Sequence, residues 1–371
     1  MTNLPREGIR LDLSDLRFVR LPENSSEGQR TRLRSGDILI SITAELGKIG
    51  YVDFEPAQPA YVNQHVCLVR PKSGDVASEF LASFLAAAPQ RNLFNRLNDA
   101  GAKAGLNLQT IREFPVRLPP LPEQRKIAEI LRTWDEALEK LTALRALNIR
   151  RRVWFRTHLF TGKIRLPGFT GDWREVPLSA VLHEHGSKST GAEEVYSVSV
   201  QKGLVNQVEH LGRSFSAANT DHYNRVLPGD IVYTKSPTGD FPLGIIKQSK
   251  IDREVIVSPL YGVFTPQTYA LGVIIDALFE SPLAARNYLY PLVQKGAKNT
   301  IAVTNSQFLE GKLRLPMDPG EQAAIADIVN ASHAECAGIE AEIEALTRQK
   351  RGLVQKLLTG EWRVNSEKVL A

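Results

Sequence analysis

Apolar residues recur at alternating spacings of four and three through two long stretches of the chain. The first runs through Ile127, Leu131, Trp134, Leu138 and Leu141, passes Arg145 and Asn148, and resumes at Phe155 and Leu159. The second runs through Ile325, Val329, Ser332, Cys336, Ile339, Ile343 and Leu346, then Lys350, Leu353 and Leu357. This spacing predicts a long helix with one apolar stripe in each stretch. In the second, Asp318 is placed to act as N-cap, Pro319 as the first helical residue and Glu321 as the third, completing a capping box. The first has Pro122 at the matching point but Leu121 where a cap would stand. Thr161-Gly162 and Thr359-Gly360 supply the terminating glycine. A 38-residue helix would be about 57 Å long. A seam of that length on a mostly polar helix needs a partner. The economical partner is the other helix, packed as a coiled coil; the alternative is that each helix lies on its own globular domain.

Residues 1–118 and 166–314 carry short β-branched and aromatic runs broken by glycine and proline. Examples are "GDILISI", "GYVDF" and "YVNQHVCLV", then "GDIVYTK", "LGIIK" and "VIVSPLYGVF". They predict strands with tight turns. Helical stretches follow at 76–88 and 90–99, and at 268–280 and 283–294, each set closing on Gly-Ala-Lys. The expected class is α+β.

The two halves repeat. Glu123-Gln124 falls on Glu321-Gln322, an offset of 198 that holds without a gap to Thr161-Gly162 and Thr359-Gly360. Upstream, Gly36-Asp37 matches Gly229-Asp230, and Gly101-Ala102-Lys103 matches Gly296-Ala297-Lys298. Four segments follow from this internal repeat, whose copies a pseudo-two-fold would relate. They are a first variable domain (1–118), a first long helix (119–165), a second variable domain (166–314) and a second long helix (315–371). Trp173, at the opening of the second domain, has its counterpart before Met1, so the first domain is expected to be short at its front. The alternatives are a start further upstream, or completion by the far end, where "GEWRV" (360–364) resembles "GDWREV".

Composition narrows the class. The chain has 371 residues, 43% of them hydrophobic and 23% charged, which fits a globular protein of two or three domains. No run of eighteen apolar residues occurs, and the charged first twenty residues lack the apolar core of a secretory signal. With two cysteines, neither a disulfide framework nor a structural zinc site is expected, and a cytoplasmic location fits. The net charge of +5 is mild and uneven. Residues 1–165 carry +8 and residues 166–371 carry −3, while the two variable domains taken alone are close to neutral. Arg150, Arg151 and Arg152 invite a phosphate-binding reading, but basic residues are also favoured near helix C-termini, and the structural reading is preferred.

Catalytic signatures are missing from the sequence. It has no phosphate-binding G-x-x-x-x-G-K-[ST] loop, no G-x-G-x-x-G, no G-x-S-x-G elbow and no Asn/Asp-Pro-Pro-aromatic run. His183-Glu184-His185 could place two imidazoles on one strand face, but no third ligand is evident and ordinary surface histidines are the simpler account. Cys67 is expected in the core.

The "LPPLPEQRKIAEIL…TG" and "LPMDPGEQAAIADIV…LLTG" segments, each following a Gly-Asp strand domain, resemble the specificity subunit of type I restriction–modification systems over nearly the whole chain. The resemblance implies two target-recognition domains joined by long antiparallel coiled-coil helices, each domain reading one half of a split DNA sequence. It also implies partners: double-stranded DNA, two methyltransferase subunits that bind S-adenosylmethionine and modify adenine, and a restriction/translocase subunit. No cofactor, metal, membrane or catalytic role is expected of this chain. Polar loop residues suited to groove contacts are Asn63, Gln64, Lys103 and Asn107 in the first domain. In the second they are Lys235, Ser236, Lys298, Asn299 and Thr300. Each of these could equally be an exposed loop side chain with no role. Gln124, Ile127, Leu131, Trp134 and Leu141, with Gln322, Ile325, Val329, Ile339 and Leu346, are expected to form the helical spacer or bind partners. The rival readings are a non-DNA coiled-coil adaptor with duplicated ligand-binding domains, and a methyltransferase or nuclease with unrecognised motifs.

Overall fold

The computed structural model describes residues 3–20, 28–72, 74–98, 105–211, 219–295 and 301–365. The chain divides into two compact units, the first made of residues 1–143 and 340–371, the second of residues 144–339.

In the first unit, β1 (Ile38–Ser41), β2 (Ile49–Tyr51) and β3 (Val66–Val69) form an antiparallel sheet in the order β2-β1-β3. Helices α1 (Ser78–Ala86), α2 (Ala88–Arg96) and α3 (Leu108–Arg112) follow, and then α4 (Leu121–His158) begins. The central run Ile38-Leu39-Ile40 is buried on both faces, which is why it lacks the alternation of a half-exposed strand. Ile38 and Ile40 pack with Phe80, Phe94, Ile127 and Leu131, while Leu39 packs with Leu4 and Val52.

The second unit repeats this plan with more strands. After α4 come β4 (Trp173–Pro177), β5 (Leu182–His183), β6 (Tyr196–Ser199), β7 (Gly203–Asn206), α5 (Gln207–Leu211), β8 (Asn224–Val226), β9 (Ile231–Tyr233), β10 (Ile246–Gln248), β11 (Val255–Val257) and β12 (Gly262–Pro266). Then come α6 (Tyr269–Phe279), α7 (Pro282–Leu289), β13 (Gln294–Lys295), β14 (Ile301–Ala302), α8 (Asn305–Glu310), β15 (Lys312–Pro316) and α9 (Pro319–Leu358). The main sheet runs β10-β9-β12-β5, and β15 pairs along its whole length with β4. Among the described residues of the first unit, no strand lies beside β3 where β5 flanks β12. None pairs with residues 115–119, the counterpart of β15.

The two Gly-Asp pairs are structural. Gly36 (φ +87°) and Gly229 (φ +88°) turn the chain into β1 and β9 in a conformation that favours glycine. Each following aspartate is buried and accepts from a turn amide, Arg34 N to Asp37 and Leu227 N to Asp230, both at 2.7 Å. Arg70 completes the first site with a bidentate contact. Thr265, at the same strand end in the second unit, completes the other at 2.7 Å together with His185 Nε2 at 3.0 Å. His185 is therefore a turn-holding side chain, which corrects its reading as a surface histidine. No group of three metal-binding side chains occurs among the described residues. Cys67 is buried, and burial pushes its thiol above the ordinary value.

Each long helix starts in one unit and ends in the other. Within each unit the two helix pieces run antiparallel. In the first, Ile127 and Leu131 share a core with Leu357 and Leu358, and Asp135 meets Lys350 further along. In the second, Ile325 and Val329 share a core with Leu159 and Phe160, and Glu335 meets Asn148 and Arg151. Ile127, Leu131, Ile325, Val329 and Ile339 are buried, and Trp134, Leu141 and Leu346 half-buried. Arg145 is the seam position that is exposed. Gly162 and Gly360, both at positive φ, follow the helix ends. No helix among the described residues is long and apolar enough to cross a membrane.

Three details differ from the sequence reading. Asp318 does cap α9, accepting from Glu321 N at 2.8 Å, but the Glu321 carboxylate is engaged by Arg165 at 2.6 and 2.7 Å. Only half of the capping box is therefore supported. The far-end segment "GEWRV" takes the place of Gly162–Leu166 rather than that of the opening strand. Arg363 grips Glu123 as Arg165 grips Glu321, because the 198-residue offset continues past the helix end. Finally, Gln124 and Gln322 are buried off the seam. Gln124 donates to Asp75 O and Pro119 O and accepts from Ala77 N; Gln322 donates to Pro316 O and accepts from Thr268 Oγ1. They tie the starts of α4 and α9 to the chain entering α1 and α6, so their polar atoms are occupied internally.

Candidate nucleic-acid interface

The strand after each Gly-Asp turn leads into a hairpin loop, residues 42–48 between β1 and β2 and residues 234–245 between β9 and β10. The two loops open with the same contact: Ser41 Oγ accepts from Lys48 N at 2.9 Å, and Thr234 Oγ1 from Ile245 N at 3.0 Å. Among the described residues, the non-glycine residues at positive φ are Ala44 (+60°) and Lys235 (+59°), one in each loop. For residues with a Cβ this conformation costs about 1 kcal/mol or more and persists only where the surroundings enforce it.

In the first unit, three chain segments meet at this loop. Ile42 N donates to His65 O at 3.0 Å, and Leu106 N donates to Ile42 O at 2.9 Å. Thr43 bridges Gly105, and its hydroxyl lies 2.9 Å from His65 Nδ1. Asn63, whose side chain accepts from His65 N at 3.0 Å, and Gln64 stand exposed on the adjoining turn. Asn107 follows Leu106. The structure thus gathers three of the sequence-selected residues and adds Thr43 and His65, which no local pattern marks. Asn107 also has a structural task, capping α3 by accepting from Thr110 N at 2.8 Å, as Thr304 caps α8.

In the second unit, Lys235 is half-buried and Ser236 exposed at the start of the longer loop. Gly244 packs against the Lys235 backbone: a Cβ there would lie 2.8 Å from Lys235 N. Glu184, just past β5, accepts from Asn305 Nδ2 at the start of α8. Burial pushes the Lys235 ammonium below the ordinary lysine value, against the pull of Glu184. Lys103, Lys298, Asn299 and Thr300 lie outside the described residues. Of the arginine triplet, Arg151 pairs with Glu335 and Arg152 with Glu280, so these two serve helix packing.

Residues 23–148 match a family described as the type I restriction modification DNA specificity domain. A protein of Methanocaldococcus jannaschii, described as a type I restriction enzyme MjaX specificity subunit, is 22% identical, covering 96% of this chain and 85% of its own length. Residues 23–148 thus carry a match to the type I specificity domain, and the chain as a whole is similar to a type I specificity subunit. The fold is also found in a solved structure. The crystal structure of the type I restriction-modification S subunit from M. genitalium superposes with a TM-score of 0.59 at 15% identity, covering 89% of this chain and 84% of that one. In this chain, the loops at the ends of β1 and β9 form the candidate nucleic-acid-facing surface.

Proposed function

We propose that the chain is a type I specificity subunit that recognises a split DNA sequence, each unit reading one half-site through the loops at the end of its Gly-Asp strand. The observation that carries the reading is the recurrence, in both units, of a hairpin loop with a strained non-glycine residue beside exposed side chains suited to base edges. Helices that start in one unit and end in the other fit a spacer whose length sets the unread gap between half-sites. The subunit itself performs no chemistry in this reading. Two methyltransferase subunits bind S-adenosylmethionine and modify adenine, and a restriction/translocase subunit supplies cleavage.

Mapping methylated adenines in DNA from cells carrying the complete system tests the proposal. The expected result is a motif of two specified blocks separated by an unspecified gap of constant length. Exchanging residues 172–316 for those of another specificity subunit should change one block and leave the other. A single continuous motif, or two blocks that both change on the exchange, would overturn the reading.

A further inference from the structure

Glu184 is an odd residue to find on a DNA-facing surface, because a carboxylate there is repelled by phosphates unless it is spent on a base. Three features single it out. It is exposed, and its orientation is set by Asn305, a residue 121 positions away that donates to it from α8. Its charge acts on Lys235, whose left-handed backbone fits against Gly244. In addition, the Asn305 side-chain oxygen is buried without a hydrogen-bond partner and faces Gly262, whose missing Cβ leaves it room: a Cβ there would sit 2.9 Å from it. Holding the amide this way carries a desolvation cost, and what it secures is the direction in which Nδ2 points, toward Glu184.

We propose that Glu184 reads an exocyclic amino group in the major groove, cytosine N4 or adenine N6, with Asn305 as its positioning residue and Lys235 as the counter-charge that admits it to the duplex. This rests on the DNA-recognition reading above and deepens it. A carboxylate only accepts hydrogen bonds, so it discriminates by refusal as well as by attraction. Guanine O6 and N7 and thymine O4 present acceptors at the same place, and setting them against a fixed carboxylate leaves two lone-pair groups in contact. One side chain held in one orientation can therefore specify an amino-bearing base at one position of one half-site.

The test uses the complete complex with its methyltransferase partners and compares wild type, E184Q and N305A. Glutamine keeps the shape but can both donate and accept. E184Q is expected to widen the methylated motif at one position of the half-site read by the second unit, admitting guanine or thymine there. N305A should relax the same position, and the other half-site should stay unchanged. As a second measurement, target DNA lacking that single amino group (purine for adenine, 2-pyrimidinone for cytosine) should bind wild type about 10- to 100-fold more weakly, the worth of one charge-assisted hydrogen bond. The same DNA should make little difference to E184Q. Specific binding by all variants with an unaltered motif would overturn the Glu184 inference alone, as would relaxation at unrelated positions in the two variants. Failure of the wild-type complex to bind any sequence preferentially would overturn the DNA-recognition reading itself.

Discussion

At the C-cap of α6, the Glu280 carboxylate is held by Arg152 at 2.8 and 2.9 Å, by Arg156 at 3.5 Å and by His333 Nε2 at 2.8 Å. The two arginines come from α4 and the histidine from α9, so one residue after α6 is clamped to both helix pieces of its unit. The repeat places Lys350 and Asp135 at the positions of Arg152 and His333, and in the first unit those two pair directly. The clamp is thus particular to the second unit. Burial alone would push the Glu280 carboxyl up; the His333 hydrogen bond and the nearby charges of Arg152, His333 and Lys247 outweigh it and hold it at about 2. A folded value below the unfolded one stabilises the charged state above about pH 4.5, and that stabilisation is lost as the pH falls toward 2. On the order of 3 kcal/mol of second-unit stability should disappear across that window. Acid titration of thermal stability should show the loss in wild type and a flatter profile in E280Q. Parallel profiles would mean that Glu280 contributes nothing.

The two long helices are held by their seams more than by any intrinsic preference for helix, because isolated polar helices gain most of their stability from packing. Leu131 is buried among Ile38, Phe80 and Leu357, whereas Leu147, off the seam, is 59% exposed. L131A should cost about 2–5 kcal/mol in chemical denaturation, the usual range for emptying a buried leucine site, and L147A less than about 0.5 kcal/mol. Equal effects would show that the seam is not the stabilising surface. Helix length carries a second expectation. One added turn of four residues after Ala143 and another after Ile339 lengthen each helix by about 6 Å, close to two base pairs of B-DNA. The methylated motif should keep both specified blocks and gain about two unread base pairs. An unchanged gap would remove the helices as the ruler.

For the molecule as a whole, charge is the governing quantity. The chain carries only +5 over 371 residues, and its two variable domains are close to neutral. Non-specific affinity for DNA comes mainly from phosphate contacts that release counterions, so a near-neutral surface binds weakly and with a shallow salt dependence. The isolated chain should bind target DNA poorly at physiological salt and gain both affinity and salt slope when the methyltransferase subunits supply backbone contacts. Fluorescence anisotropy across a salt series, with and without the partners, measures both. Nanomolar sequence-specific binding by the pure chain would contradict this division of labour between base readout and backbone grip.

The sequence by itself determined what local rules govern. These are two helices of 38 and 40 residues with seams at the expected positions, strands after each Gly-Asp turn, and a 198-residue repeat that orders the whole chain. Periodicity, capping and turn chemistry act over a few residues and are legible without coordinates. Part of the candidate surface was legible too, since Asn63, Gln64, Asn107, Lys235 and Ser236 are polar loop residues beside strands. The rest was settled by contacts between residues far apart in sequence, which no local pattern encodes. Glu184 meets Asn305, Thr43 meets His65, Arg363 takes the place on Glu123 that Arg165 takes on Glu321, and Gln124 and Gln322 turn inward. A carboxylate near the end of a short strand looks like a solvated surface charge until folding brings a side chain from 121 residues away to fix where it points.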